Sequence, residues 1–535
     1  MKRGDFMKKW PLTLLVFFSI FAAHAKVFKN IPALQKGLGF THYLKSGKKL
    51  RPVKVAIFDK GFDGYEDEIG KSLPANTVYV PGPVPAPEDA KTEHGLRMAQ
   101  IFTALATDNL KRPELLEEFY LYNVYGFSNF KAAVDDAIER GIDVISYSEV
   151  WEYGGNHDGK GFINAQVSRA TAAGILWVNA AGNFAKTTFN SAITSGDGDW
   201  VQLPDPNQAL ILRCENTAAK KCPLRVVLSW NDFKDDIDPG TEKDLDLALT
   251  DDMLNIVQTS ALRQSKDPNE SRPGYSKYAR EILTAELKPG TYFLRVKDRS
   301  KNFGSKDRLR ITADGENISM PRHMTDESLL NPADNPSVIT VGALDSDRSS
   351  LSRSLNKPDI MAPSSMILEN GAEFRGSSNS TAIVAAGVAL ARMRNPNASK
   401  SQILASISRD FNWDQGALSL NYLRFWPAGG ATCFSAHEWS EAPEYIQKVV
   451  ALGGVLVETT AQYRLMVPFD PALLAPDQQR LSADDMVIVE PQGGFYIVRR
   501  LSQIPQGAVE VFQRPYEASL CHAPLKASGK IFTLE

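Results

Sequence analysis

Residues 376–395, GSSNSTAIVAAGVALARMRN, constrain this chain more than any other stretch. They open on small polar residues and run into Ala382, Ile383, Val384, Ala385, Ala386, Val388, Ala389 and Leu390. Apolar residues fall on nearly every face, so the pattern is that of a helix buried on all sides. Such a helix needs protein around it everywhere. Its first turn carries Ser377, Ser378, Ser380 and Thr381. A helix start has unpaired N–H groups and the positive end of the helix dipole. A serine held there is placed to act as a nucleophile. Serines at a helix start are also ordinary caps. By itself, then, the stretch establishes a central helix and no chemistry.

The chain has 535 residues, too many for one ordinary core, and is expected to form several domains. Its 60 basic and 63 acidic residues leave a net charge of −3, which gives no electrostatic footprint for nucleic acid. Lys2, Arg3, Lys8 and Lys9 precede the apolar run Leu14–Ala23, and Ala23-His24-Ala25 fits a small-x-small cleavage site. Residues 1–25 therefore read as a signal peptide, with secretion or periplasmic retention as the destination. No other segment is apolar enough to cross a bilayer, so no membrane anchor is expected after signal removal. The four cysteines, Cys214, Cys222, Cys433 and Cys521, are an even count in an exported chain. Cys214–Cys222 and Cys433–Cys521 is the pairing that stays within domains.

After a Lys-rich lead-in over 26–50, VKVAIFDKGFDG reads as a buried strand, Val53–Phe58, with Asp59 at its carboxyl end. That is where active sites gather in α/β sheets, although turn and cap roles are commoner for such an Asp. His94 then opens an amphipathic helix carrying Met98, Ile101, Phe102 and Leu105. Two helix–glycine–strand units follow, ending at Val144–Tyr147 and at Ile175–Asn179, the second running into Ala180-Ala181-Gly182-Asn183. This alternation predicts a doubly wound, mostly parallel sheet over 51–190 and 321–415. Between them, 191–320 holds strand-like runs such as LRVVLSWND and RLRITAD, which read as an inserted β-sandwich. Its acidic residues Asp232, Asp235, Asp236, Asp238, Asp244 and Asp246 offer oxygen ligands of the kind calcium takes. Their spacing fits no defined loop, so they read first as a solvated surface, with structural calcium left open. Residues 425–535 read as a C-terminal accessory domain of mixed α/β character.

Serine catalysis needs a hydroxyl, an imidazole to take its proton, a carboxylate to orient the imidazole, and donors for the oxyanion. Asp59, His94 and Ser378 can supply the first three, and Asn183 a side-chain donor. VAIFDKGFDG, EHGLRMAQ, GILWVNAAGN and GSSNSTAIVAAGVAL resemble, in order, the Asp, His, oxyanion and Ser blocks of subtilisin-like serine peptidases, the subtilases. NPSVITVGA and KPDIMAP resemble two further segments of that family. The resemblance implies a seven-stranded parallel sheet and an exported serine endopeptidase acting on protein or peptide substrates. It implies no cofactor and no catalytic metal for the chemistry.

Asp59 to His94 spans 35 residues and His94 to Asn183 spans 89, both ordinary for subtilases, but Asn183 to Ser378 spans 195. The surplus is the β-rich segment, whose position would let it border the substrate cleft. Arg97 and Gln100 stand where the family's second His and a Gly are usual, and Ala382 where a Pro is usual. The family's substrate-binding Ser-Leu-Gly appears as Ser148-Glu149-Val150. There Glu149 would either meet a basic substrate residue or face solvent. About 25 residues separate the signal from the Asp block, too few for a folded propeptide. The alternative to an enzyme is a catalytically idle subtilase fold used for binding.

Overall fold

A computed structural model describes residues 27–45, 50–85, 91–217, 220–235, 240–407, 416–418 and 420, and six strands between 455 and 534. The signal segment and the Cys433–Cys521 pairing lie outside the described residues. So does the C-terminal region, apart from those strands, which pair as three antiparallel couples.

Helices α1 (Ile31–Gly37) and α2 (Phe40–Lys45) come first. The lead-in is thus not a simple tether: Phe28, Ile31, Phe40, Tyr43 and Leu44 are buried in the main core. Strands β1 (Val53–Asp59), β2 (Thr77–Val80), β3 (Leu116–Asn123), β4 (Val144–Tyr147) and β5 (Leu176–Ala180) alternate with helices α3 (Tyr65–Glu68), α4 (His94–Ala106), α5 (Gly126–Glu139) and α6 (Phe162–Ala172). The chain then enters β6 (Thr188–Ala192), β7 (Leu210–Cys214), β8 (Cys222–Trp230), β9 (Leu245–Thr250) and β10 (Ile256–Ser260). It continues through β11 (Arg263–Gln264), β12 (Tyr275–Ser276), β13 (Arg280–Leu287), β14 (Gly290–Asp298), β15 (Arg308–Asp314) and β16 (Ile318–Ser319). The α/β pattern resumes with β17 (Ile339–Ala343) and β18 (Ile360–Ala362), a hairpin of β19 (Met366–Ile367) and β20 (Glu373–Phe374), helices α7 (Ser377–Arg394) and α8 (Lys400–Ile407), and the edge strand β21 (Gly416–Ala417).

The main sheet has the order β2-β3-β1-β4-β5-β17-β18-β21, parallel at every described pairing. Its two faces bury separate sets. Val53, Val55 and Ile57 pack with α4 and α7 on one side. Ala56, Phe58, Ile145 and Tyr147 pack with α5 and α6 on the other. The alternation follows from the period of two along a strand, and both sets are apolar because both faces are covered. Helix α7 sits against β4, β5 and β17 and against α4 and α8, with Ala382–Ala391 buried throughout.

From Thr188 to Ser319 the chain makes a five-stranded sheet, β10-β9-β14-β7-β16, and a four-stranded one, β13-β8-β15-β6, antiparallel at each described pairing. They share one core containing Leu212, Leu228, Trp230, Leu247, Leu294 and Ile311. The Cys214–Cys222 disulfide joins the end of β7 to the start of β8. This region docks on the segment after β4. Ser229 Oγ donates to the Glu152 carbonyl at 3.0 Å, and the Arg280 guanidinium lies 3.7 Å from the Tyr153 ring centroid. Arg310, buried, donates through Nε to Asn190 and through its terminal nitrogens to the Leu329 and Glu327 carbonyls. Among the described residues, Asp232, Asp235, Asp244 and Asp246 form no group of three with ligand atoms close together. Asp232 accepts from Thr241, Asp235 from the Gly161 N–H, and Asp246 pairs with Arg299, while Asp236 and Asp238 lie outside the described residues.

Ala385 is completely buried in the main core. Ala385→Leu is expected to cost at least about 1–3 kcal/mol through overpacking, read as a lower thermal midpoint for the full chain.

Candidate active site

Strand β1 stops at Asp59, whose side chain is fully buried. The start of α4 is drawn against it: the Gly95 N–H donates to the Gly61 carbonyl at 2.8 Å. A Cβ at Gly95 would lie 2.6 Å from both Asp59 Cβ and the Gly61 oxygen, so only glycine allows this approach. His94 is thereby held with Nδ1 2.8 Å from Asp59 Oδ2, while Asp59 Oδ1 accepts the Lys60 N–H at 2.9 Å. This bond assigns the proton on Nδ1 and leaves Nε2 as the unprotonated nitrogen of the neutral ring. Among the described residues, Nε2 has no protein partner.

The start of α7 meets the loop after β5. The Ser377 N–H donates to Asn183 Oδ1 at 3.0 Å, and Ser377 Oγ accepts the Gly182 N–H at 3.1 Å. With Oδ1 held by a backbone donor, the Asn183 amide orientation is fixed and Nδ2 is free to donate. A Cβ on Gly376 would come within 3.2 Å of that Nδ2. Ser378 follows at the second helical position. Its N–H has no partner among the described residues, as the first turn of a helix requires. Its hydroxyl donates to the Ser148 carbonyl at 2.9 Å, and Ser148 Oγ returns a bond to the Ser378 carbonyl at 3.2 Å. In this arrangement the hydroxyl bonds to Ser148 and not to His94.

His94, Ser148, Glu149, Asn183 and Ser378 line one cleft of about 770 Å³, with Asp59 behind His94. Lys60, Tyr125, Trp151, Glu152, Arg225 and Asp314 line it too. Arg225 and Asp314 come from β8 and β15, and Arg225 is ion-paired with Glu152. None of these six was singled out from sequence. Lys60 carried a signal, since it follows the strand-end Asp directly. Arg225 and Asp314 are placed by the docking of one sheet on another and had none.

Glu149 does not face solvent. Its side chain is only 18% exposed and pairs with Lys60 at 2.9 Å. One ligand atom from each of Asp59, His94 and Glu149 lies within 4.8 Å of the others, a closeness no other trio of such residues reaches among the described residues. Burial, then the Asp59 charge, push the Glu149 carboxyl up, against the pull of Lys60 and His94. Burial disfavours a charged His94 ring, but the charge and hydrogen bond of Asp59, with the charge of Glu149, outweigh it and hold His94 above its ordinary value. The two departures on α4 form a small polar network. Arg97 donates to Gln100 Oε1 at 3.0 Å, and Gln100 Nε2 to Ser72 Oγ at 2.9 Å.

The model of the subtilase family matches residues 51–216 and 258–420, more than half of the chain. Among solved structures, the chain is similar to the CspB protease of Clostridium perfringens. Identity is 13%, covering 74% of this chain and 98% of that one, with a TM-score of 0.43. It is also similar to the nisin leader peptidase NisP from Lactococcus lactis, at 14% identity over 73% of this chain and 92% of that one, with a TM-score of 0.34. MycP1 from Mycobacterium smegmatis matches at 14% identity over 75% of this chain and 87% of that one, with a TM-score of 0.33. No curated relative matches in sequence.

Gly95→Ala should push His94 away from Asp59. In an NMR titration of the full chain, the His94 value is expected to fall toward an ordinary 6.5.

Proposed function

Because the chain belongs to the subtilase family and is a serine-type peptidase, we propose that Ser378 is its nucleophile, His94 its base and then acid, and Asp59 the carboxylate that orients His94. The observation that carries this reading is the Asp59–His94 bond beside Ser378, in a cleft where Nε2 is free. On this reading Ser378 Oγ must leave the Ser148 carbonyl to meet Nε2. As Oγ attacks a scissile carbonyl, its proton passes to Nε2, and the imidazolium is stabilised by Asp59. The oxyanion then accepts from Asn183 Nδ2 and the Ser378 N–H. His94 returns the proton to the leaving amine, and water repeats the sequence on the acyl-enzyme. No cofactor takes part in any of these steps.

The sheet supports a peptide substrate. In the order β3-β1-β4, β1 ends at Asp59, whereas residues 124–126 and 148–150 run on along the cleft. We read the space between them as a slot where an extended peptide would add as a strand, with Ser148 and Glu149 as binding residues. We read 191–320 as a β-sandwich inserted into the peptidase domain, with Arg225 and Asp314 giving it part of the cleft wall. Export rests on the signal pattern of residues 1–25. Among the described residues, no helix is long and apolar enough to cross a membrane.

The Ser378–Ser148 bond favours a second reading, an idle site used for binding. A fluorophosphonate separates the two. Intact mass should show one adduct on the full chain and none on Ser378→Ala; a well-folded parent that takes no adduct favours the idle site. Asn183→Ala should slow turnover by roughly 10²–10³, the loss known for subtilisin when its side-chain oxyanion donor is removed. Because His94 must be neutral to act and is held above 6.5, the acid limb of kcat/KM should have its midpoint above pH 6.5.

A further inference from the structure

We infer that Glu149, held by Lys60, is a positioning residue that acts through His94: a second carboxylate beside the Asp59–His94 pair that supports the imidazolium formed during acyl transfer. This rests on His94 being the base.

The register explains why Glu149 lies there. Strands β1 and β4 are adjacent and parallel, with Phe58 opposite Tyr147. Lys60 lies two residues past Phe58 and Glu149 two residues past Tyr147, just beyond that paired segment. Lys60 and Glu149 then meet across neighbouring chain segments at 2.9 Å, with Glu149 largely covered and Lys60 half exposed. The backbone of Glu149 is fixed as well, since Asn179 Nδ2 donates to its carbonyl at 3.1 Å. A buried carboxylate needs a partner, and Lys60 is that partner. The other neighbours of Glu149 within 4.8 Å are Asp59, already bonded to Nδ1, and the His94 ring, which of the two is the one that gains positive charge.

The other charges around His94 have clear engagements. Asp59 is bonded to Nδ1. Glu93, the residue just before α4, is exposed and paired with Arg97. Across the cleft, Glu152 is paired with Arg225, and Asp314 sits beside Arg225 in the β15–β8 register. Among the described residues, Glu149 and Lys60 are the pair that adds opposed charges near the ring, and its two halves pull His94 in opposite directions. Among the described residues neither hydrogen-bonds to Ser378, so the pair bears on the nucleophile by way of the imidazole.

The experiment is the rate of fluorophosphonate labelling of the full chain against pH, which reads His94 without a peptide in the substrate slot. In Glu149→Gln, Lys60 acts unopposed, and the acid limb should move down by about 1 pH unit while the plateau falls by about tenfold. Glu149→Asn should move the limb the same way, which covers a poorly folding Gln variant. In Glu149→Gln with Lys60→Met, both charges are gone and the limb should return at least halfway to the parent. Glu149→Asp, which keeps the charge, should leave it within about 0.3 unit of the parent. A purely structural role predicts no such return. An acid limb unmoved in Glu149→Gln, or a shift that persists unchanged in the double variant, overturns the inference. A parent that takes no adduct at any pH overturns the peptidase site itself, and this inference with it.

Discussion

Everything in this fold depends on burying α7 on all sides. Its residues from Ala382 to Ala391 have no access to solvent, so the parallel sheet must pass on one flank and α4 and α8 on others. That requirement fixes where α7 begins. Its first turn emerges at the carboxyl ends of β4 and β5, next to the end of β1, and the Ser378 N–H in that turn has no helical partner. The same packing that stabilises the core thus presents a serine hydroxyl and a free backbone donor at the mouth of a cleft. Helix α4 packs against α7 and is pinned to β1 through Gly95, so His94 arrives at the same place for the same reason.

The electrostatics follow from how few of these groups reach water. Asp59 is fully buried and spends both oxygens, one on the Lys60 N–H and one on His94. Its charge is therefore committed to the ring. Glu149 and Lys60 bring a second, internally balanced pair to the edge of the same site. The cleft carries paired charges for this reason, and the four-stranded sheet adds Arg225, which pairs with Glu152. A substrate entering the slot beyond β1 would meet backbone edges lined by side chains already engaged with one another. Recognition there would draw on strand pairing and shape more than on a single exposed charge.

Much of this was legible in the sequence because it follows from local pattern. The all-round apolar character of 382–390, the strand running into Asp59, the helix opening at His94 and the small residues before Asn183 each announce themselves within a dozen residues. The strands of 191–320 announce themselves by their turns, and Cys214 and Cys222 by their closeness. What stayed hidden depends on distant registers. The direction of Glu149 is decided by the pairing of β1 with β4 and by Lys60, 89 residues away. The helices of the lead-in were masked by its lysines, although Phe28, Ile31 and Phe40 enter the core. Arg225 and Asp314 reach the cleft only because one face of the four-stranded sheet docks beside Glu152 and Tyr153.

The central claim is that four side chains from four separate elements form one machine for acyl transfer. The most direct measurement is a crystal structure of the full chain after reaction with a phosphonate. The account predicts a covalent bond from Ser378 Oγ, no longer bonded to Ser148. The phosphoryl oxygen should lie about 2.7–3.1 Å from both Asn183 Nδ2 and the Ser378 N–H, with His94 still on Asp59. An adduct on another residue, or a phosphoryl oxygen turned away from Asn183, would contradict it.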